Sequence, residues 1–556
     1  MQIPAHMVIN ALIMAMVGYA NRSTPSEIIY HGGSTAAYLL ALHGSLSQSS
    51  DYKVETIDFY CFSFTRQNLK IEARFITFCF RGFIFGKFGD AAPCLGLLVL
   101  FPGEVAVFVE KILRVQPKVK KLYLLLRAVD TKSAEERLHN EVIGKALFDV
   151  LRDQHGANFN SFISEKVSPV PGDISCVDLG IKDSLLKDQI WNEVDTVINF
   201  AATTNFDERY DVALGINTMG ALHLLNFVKK CNNVKVLGHL STAYVCGEDG
   251  GLIKEKPFRL GTAKKSTKVI DIGLEKKLVE EKLKNLHSEH AEESAITSYM
   301  KNYGTKRARM HGWPNTYVFT KAMGEMLLVH HNRDTVPLVI LRPTMVTSTY
   351  REPFPGWIEG VRTIDGVAVG YAKGKLKAFP FNPKLTVDVI PADVVINALI
   401  MAMVEYANRS TPSEIIYHVG SSLRNPFKFS NFTELINRYF VQNPLIDKDG
   451  KPIKVGKVTI FSSMASFRIY MAIRYSLALK VFHLAINTVL FQKSYKDKYI
   501  ALERKLKRGM RLAELYEPYV FFKGIFDDAN SEKLQIAASK TCSEAHALKV
   551  LLLCQF

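Results

Sequence analysis

The chain lacks most of what ties a fold together by covalent or metal chemistry. Its 556 residues include eight cysteines, namely Cys61, Cys79, Cys94, Cys176, Cys231, Cys246, Cys542 and Cys554. None forms a CxxC pair or stands at zinc-ligand spacing with histidine, which excludes a zinc module and a disulfide scaffold. Scattered thiols of this kind point to a reducing compartment. The start, MQIPAHMVINALIMAMVGYANRS, carries an apolar run without a basic region before it, so it does not fit a signal peptide. A bilayer crossing needs about 20 uninterrupted apolar residues. The best stretch near the C-terminus, Ile469 to Phe491, is broken by Arg474, Lys480 and His483. It reads as a core helix or an interfacial one, the core placement being favoured. No compact basic stripe with interleaved aromatics is present, which argues against nucleic acid as a partner.

The composition is otherwise that of a globular protein, with 48% hydrophobic and 22% charged residues. The length suits two domains and extra segments. The formal net charge of +16 suits an anionic surface or a phosphate-bearing ligand, with plain solubility as the competing explanation.

A repeat marks the chain. Residues 3–34, IPAHMVINALIMAMVGYANRSTPSEIIYHGGS, recur at 390–421 as IPADVVINALIMAMVEYANRSTPSEIIYHVGS. The copies differ at His6/Asp393, Met7/Val394, Gly18/Glu405 and Gly32/Val419. Solenoid repeats come as many diverged copies. Two near-identical copies far apart instead indicate a recent segmental duplication or a mis-assembled reading frame. Asp393 is a better helix N-cap than His6, and Glu405 a better helix residue than Gly18. The second copy is thus expected in the fold and the first at its periphery. Residues 35–94, rich in phenylalanine and without a period of 2 or 3.6, receive no role.

From about residue 96 the pattern is regular. An apolar run (97–101) leads to an amphipathic stretch, VAVFVEKILRVQP. Strand-like segments follow at 119–129, 166–174, 194–202, 234–245 and 338–346, with helical stretches such as NTMGALHLLNFVKKC (217–231) between them. Apolar strands alternating with helices imply βαβ units and a parallel sheet covered on both faces. The expected fold is α/β, a Rossmann-type doubly wound parallel sheet followed by a smaller, mainly helical C-terminal domain. Its boundaries are 1–94 for an atypical N-terminal segment, 95–421 for the nucleotide-binding domain and 422–556 for the helical domain. Residues 262–310, with the charged LEKKLVEEKLKNLHSEHAEE, read as a helical insertion over the sheet edge.

The chemistry centres on Tyr317 and Lys321 in NTYVFTKAMGEM, preceded by LSTAYV with Ser241 and Thr242. Residues four apart share one helix face. An ammonium beside a phenol lowers the phenol pKa and makes Tyr317 a usable general acid or base. A hydroxyl at a strand end, Thr242, is placed to hydrogen-bond a reacting carbonyl oxygen. YxxxK by itself occurs by chance on many surface helices. The strand end before it and the strand LVILRP after it give it weight.

Several segments carry a resemblance. GWPNTYVFTKAMGEM (312–326), RPTMVTSTYREPFPGWIEG (342–360), VEKILRVQPKVKKLYLLLRA (109–128), VINFAATTNFDERYDVALGINTMGALHLLNF (197–227) and ELYEPYVFFKGIFDD (514–528) closely resemble plant fatty acyl-CoA reductases, the male-sterility-type proteins, of the extended short-chain dehydrogenase type. The resemblance covers about three-quarters of the chain, in order. It implies reduction of a long-chain acyl-CoA with NADPH to a primary alcohol, in wax, cutin, suberin or pollen-wall lipid synthesis. It further implies Tyr317 as proton donor, Lys321 as the group that lowers its pKa and holds the nicotinamide ribose, and Thr242 as a carbonyl-polarising hydroxyl. Arg127 is expected to meet the 2′-phosphate of the cofactor, or else to be a solvated strand end. Asp173 is expected near adenine, or else is a turn or cap residue. Peripheral association with the cytosolic face of the endoplasmic reticulum is what the family suggests, with cytoplasm or plastid as the other placements.

Two places depart from the family. Its TGxxGFxxK-type glycine loop is replaced by LVLFPGEVA (98–106). Gly103 is out of register, Pro102 lacks an N–H, and Glu104 brings negative charge towards the pyrophosphate position. Weakened NADPH binding is the expectation. Beyond GIFDDANSEKLQ the tail, IAASKTCSEAHALKVLLLCQF, does not align. Three functions therefore compete: an active reductase, a catalytically impaired remnant that still binds acyl-CoA, and an enzyme of nucleotide sugars. The EPYVFFKGIF segment weighs against the last.

Overall fold

The computed structural model describes residues 95–99, 102–261, 269–361, 363–407, 413–488 and 493–541. The first copy of the repeat, residues 35–94 and the tail beyond 541 lie outside them.

A seven-stranded parallel sheet forms the centre. Its strands are β1 (Leu95–Val99), β2 (Lys121–Arg127), β3 (Val167–Gly172), β4 (Thr196–Asn199), β5 (Val236–Leu240), β6 (Leu338–Pro343) and β7 (Glu414–Val419). Their order in space is β7-β6-β5-β4-β1-β2-β3, so the winding reverses between β1 and β4. In open sheets of this type ligands bind at the carboxyl ends of the strands beside such a switch point. Five strands fall where the sequence pattern sets them. β7 lies within the second copy of the repeat and was not anticipated as a strand.

The sheet is buried on both faces, and β2 shows how. Leu122, Leu124 and Leu126 join one core cluster. Tyr123 and Leu125 join the other. Alternate side chains of a strand point to opposite faces. On the first face lie helix α1 (Pro102–Val115) and helix α3 (Ala392–Ala407). On the second lie Gly220–Val228 and helix α2 (Thr316–His330).

The second repeat copy supplies both α3 and β7, which explains its better-formed sequence. Asp393 does not cap its own helix, as the sequence suggested. It sits in the first turn of α3, and its buried carboxylate accepts from the backbone N–H groups of Tyr350, Arg351 and Glu352 at 2.8, 2.8 and 3.0 Å. It therefore fixes the loop after β6. That loop is also tied to α1, because Glu352 pairs with Lys111 and with Arg114.

The segment 262–310 is helical where described, with helices Ile272–Ser288 and Glu293–His311. Its buried Glu275 binds Tyr210, Arg307 and His311. Beyond residue 422 the chain is divided. Helices Phe429–Gln442 and α4 (Lys493–Val520) stand beyond the sheet. Gly524–Phe526 then pairs with Gly251–Ile253, and helix Ala529–Thr541 packs on β7 and α3. The last described helix thus returns to the sheet rather than joining the helical unit expected over 422–556.

Candidate active site

Helix α2 begins at Asn315, whose side chain accepts from Val318 N–H at 3.1 Å. The helix is clamped to the segment 214–219. Asn217 donates to the Thr320 hydroxyl at 3.0 Å and Thr218 to the Thr320 carbonyl at 2.8 Å. A side chain at Gly324 would place its Cβ 2.3 Å from the Asn217 carbonyl oxygen, so this close approach requires glycine. The clamp sets the rotation of Tyr317 and Lys321 about the helix axis.

Both residues face the carboxyl end of β5. The Lys321 amine donates to the Leu240 carbonyl at 2.7 Å. Thr242, two residues on, hydrogen-bonds Tyr317. Ser241 lies between them with its hydroxyl buried and, among the described residues, without a hydrogen-bond partner. The structure thus brings Tyr317, Lys321 and Thr242 together.

Their electrostatics differ from the expectation. The Tyr317 phenol is pushed above its ordinary value, first by burial and then by the carboxylate of Glu104, with the Thr242 hydrogen bond opposing. Burial pushes Lys321 down to about 8, while Glu325 and Glu104 support its charge. The lysine is committed to a main-chain carbonyl, so in this state it does not acidify the phenol. One turn further along α2, Glu325 is fully buried and pairs with Arg342 at 2.5 Å.

Arg127 and Asp173 reach the same edge of the sheet without joining this cluster. Arg127 ends β2 and is exposed. Asp173 follows β3 and accepts from the N–H and hydroxyl of Ser175 at 2.8 and 2.7 Å, which is the geometry of a turn.

Sequence reasoning missed several residues. Phe206 stacks on Tyr317 with ring centroids 5.7 Å apart and on Tyr519 at 4.9 Å. Tyr519 comes from the end of α4 and accepts from Asn315 at 2.8 Å. It also lines a small apolar cavity of about 40 Å³, together with Met345, Phe379, Phe429, Phe432 and Ile436. Phe206 and Tyr519 both lie in segments that carry the family resemblance. Their meeting across more than 300 residues has no local signal.

The arrangement fits a dinucleotide at the sheet's carboxyl edge. The orphaned Ser241 hydroxyl is available to a polar ligand group, and Arg127 offers a cation at the end of β2. The start of α1 is less favourable. Pro102 is its first residue and Glu104 is in its first turn, and the Glu359 carboxylate lies 3.2 Å from where a Cβ on Gly103 would stand. Two acids at this helix end oppose a pyrophosphate. Among the described residues no cluster of acids, histidines and cysteines could hold a metal.

Comparison with known proteins gives the family of the chain. Residues 105–399 match the family model described as male sterility protein. The chain is 54% identical over 439 residues to an alcohol-forming fatty acyl-CoA reductase of Simmondsia chinensis, covering 79% of this chain and 88% of that one. It is 51% identical over 449 residues to the probable fatty acyl-CoA reductase 4 of Arabidopsis thaliana, covering 80% and 90%. Among solved structures, the terminal R domain of the myxalamid biosynthetic pathway aligns at 16% identity and a TM-score of 0.47, covering 84% of this chain and 90% of that one. The chain belongs to the male-sterility-type fatty acyl-CoA reductase family of NAD(P)-binding oxidoreductases.

Proposed function

We propose that the protein reduces a long-chain acyl-CoA to the primary alcohol with NADPH. One observation carries this reading: Phe206 joins the Tyr317 phenol to Tyr519, which lines the apolar cavity. A proton donor and a site for an aliphatic chain are thereby neighbours. The relatives named for this activity support it.

In this reading the acyl chain lies among Phe379, Phe429, Phe432 and Ile436, whose burial away from water favours an aliphatic tail. The thioester carbonyl sits between Thr242 and Tyr317. When bound, the reduced dinucleotide supplies hydride to that carbonyl. Thr242 orients the carbonyl oxygen, and Tyr317, kept protonated by its burial, donates the proton that the developing oxyanion takes up. Lys321 holds positive charge beside them and would meet the ribose once released from Leu240. Arg127 would hold the 2′-phosphate and favour NADPH over NADH. Loss of CoA as the free thiol gives the aldehyde, and a hydride from a second NADPH, exchanged for the oxidised cofactor, with one more proton would give the alcohol.

Glu104 favours a second reading, a chain that holds acyl-CoA without turning it over. One assay separates the two. The purified chain is given a long-chain acyl-CoA with NADPH, or with NADH, and alcohol and cofactor oxidation are followed. Alcohol formed with NADPH supports reduction. No turnover at millimolar NADPH, with acyl-CoA still bound, supports the second reading.

A further inference from the structure

Helix Met464–Met471, a π turn over Ala472–Ser476 and helix Leu477–Thr488 run on from one another. Along them Ile469, Ile473, Leu477, Val481 and Leu484 are 55 to 66% exposed. The five exposed side chains, spaced by four, four, four and three residues, make an apolar ridge open to solvent, where the sequence favoured a core helix over an interfacial one.

The exposed charge of the neighbouring elements is mainly positive, although Asp497 is also exposed on α4. Arg474 and Lys480 are exposed on its own helices, and Lys496, Lys498, Arg504, Lys505 and Arg508 are exposed on α4. α4 packs against Leu477–Thr488, and His483 stacks on Tyr499 with centroids 4.5 Å apart. The same α4 ends in Tyr516, Tyr519 and Val520, which line the apolar cavity. No described helix is long and apolar enough to cross a membrane.

We infer that this ridge is a membrane-docking surface that lies in the interface of an anionic lipid bilayer. Apolar side chains on one face and cations beside them are what such an interface selects. The cations add attraction to acidic headgroups, which weakens with salt. The proposal does not depend on the reaction. It places the cavity-lining end of α4 on the element that meets the lipid.

The test uses the full chain and vesicles of phosphatidylcholine with or without phosphatidylserine. The wild type should co-sediment with the acidic vesicles and less with the neutral ones. Ile473→Asp with Leu477→Asp should lose at least tenfold in binding while melting at the wild-type temperature. Lys505→Glu with Arg508→Glu should lose the preference for acidic vesicles and keep weak binding to neutral ones. Wild type that stays in the supernatant overturns the proposal. So does an aspartate variant that binds like wild type. A wild-type dimer that the aspartate variant converts to monomer, with vesicle binding unchanged, would assign the ridge to a second copy and also overturn it.

Discussion

The Lys321 amine lies 2.7 Å from the Leu240 carbonyl oxygen, so its charge is anchored to the end of β5 while burial weakens it. Its folded value of about 8 lies below the ordinary 10.5. A lowered value means that the stabilising contribution of the neutral amine is present above pH 10.5 and is lost as the pH falls through about 8. For catalysis the sign is opposite, because the protonated amine is the useful form. The rate should therefore decline with a single ionisation above about pH 8. Glu325 supports the charge, so Glu325→Gln should move that decline lower by roughly one pH unit. The pH profile of kcat/KM, with melting temperatures as the control for folding, checks both.

Tyr317→Phe keeps the ring stacked on Phe206 and removes the hydroxyl. Loss of a general acid typically costs about 10²- to 10⁴-fold in rate. The variant should fold, bind acyl-CoA as before and lose alcohol formation by that factor. An unchanged kcat would remove Tyr317 from the chemistry.

Much of this was legible in the residues. β2, β4 and β6 are continuous apolar runs because both their faces are covered, and that pattern needs no tertiary information. The Tyr317 cluster was legible because a helix sets i and i+4 on one face. β7 was missed because the repeat drew attention to its helix. Tyr519 and Phe206 were missed because they meet only after α4 returns to the sheet. The exposure of Ile469–Leu484, against the favoured core placement, was not legible because an apolar row at helical spacing reads the same whether it faces a core or an interface. The acidified phenol was expected from helix geometry alone, which does not reveal that the Leu240 carbonyl accepts the lysine's hydrogen bond.

Glu104 acts on both Tyr317 and Lys321 from the helix end where a pyrophosphate would lie. Glu104→Gln removes that charge. NADPH should then bind more tightly by roughly tenfold, the change that 1.4 kcal/mol produces. Cofactor fluorescence titration measures it directly, without turnover. Equal affinity in the two proteins would show that the carboxylate lies off the cofactor's path.

Glu352 joins α1 to the loop after β6 through Lys111 and Arg114. Burial alone would raise its carboxyl, but the two cations overcome this and hold it at about 2. A depressed value contributes stability above the ordinary 4.5, which is lost as the pH falls through about 2. Glu352→Gln leaves Lys111, which is 2% exposed, without its carboxylate. Breaking a buried pair in this way costs about 3–5 kcal/mol. The variant should therefore unfold at lower urea than the wild type at pH 7. Lys111→Met in the Glu352→Gln background should recover part of the loss, because the stranded charge is then gone. Acid should narrow the gap between wild type and Glu352→Gln progressively as the pH falls from about 4.5, where the unfolded carboxylate begins to protonate, to about 2, where the folded one does. A gap that closes already at pH 4 would mean that the loop is held by Asp393 alone.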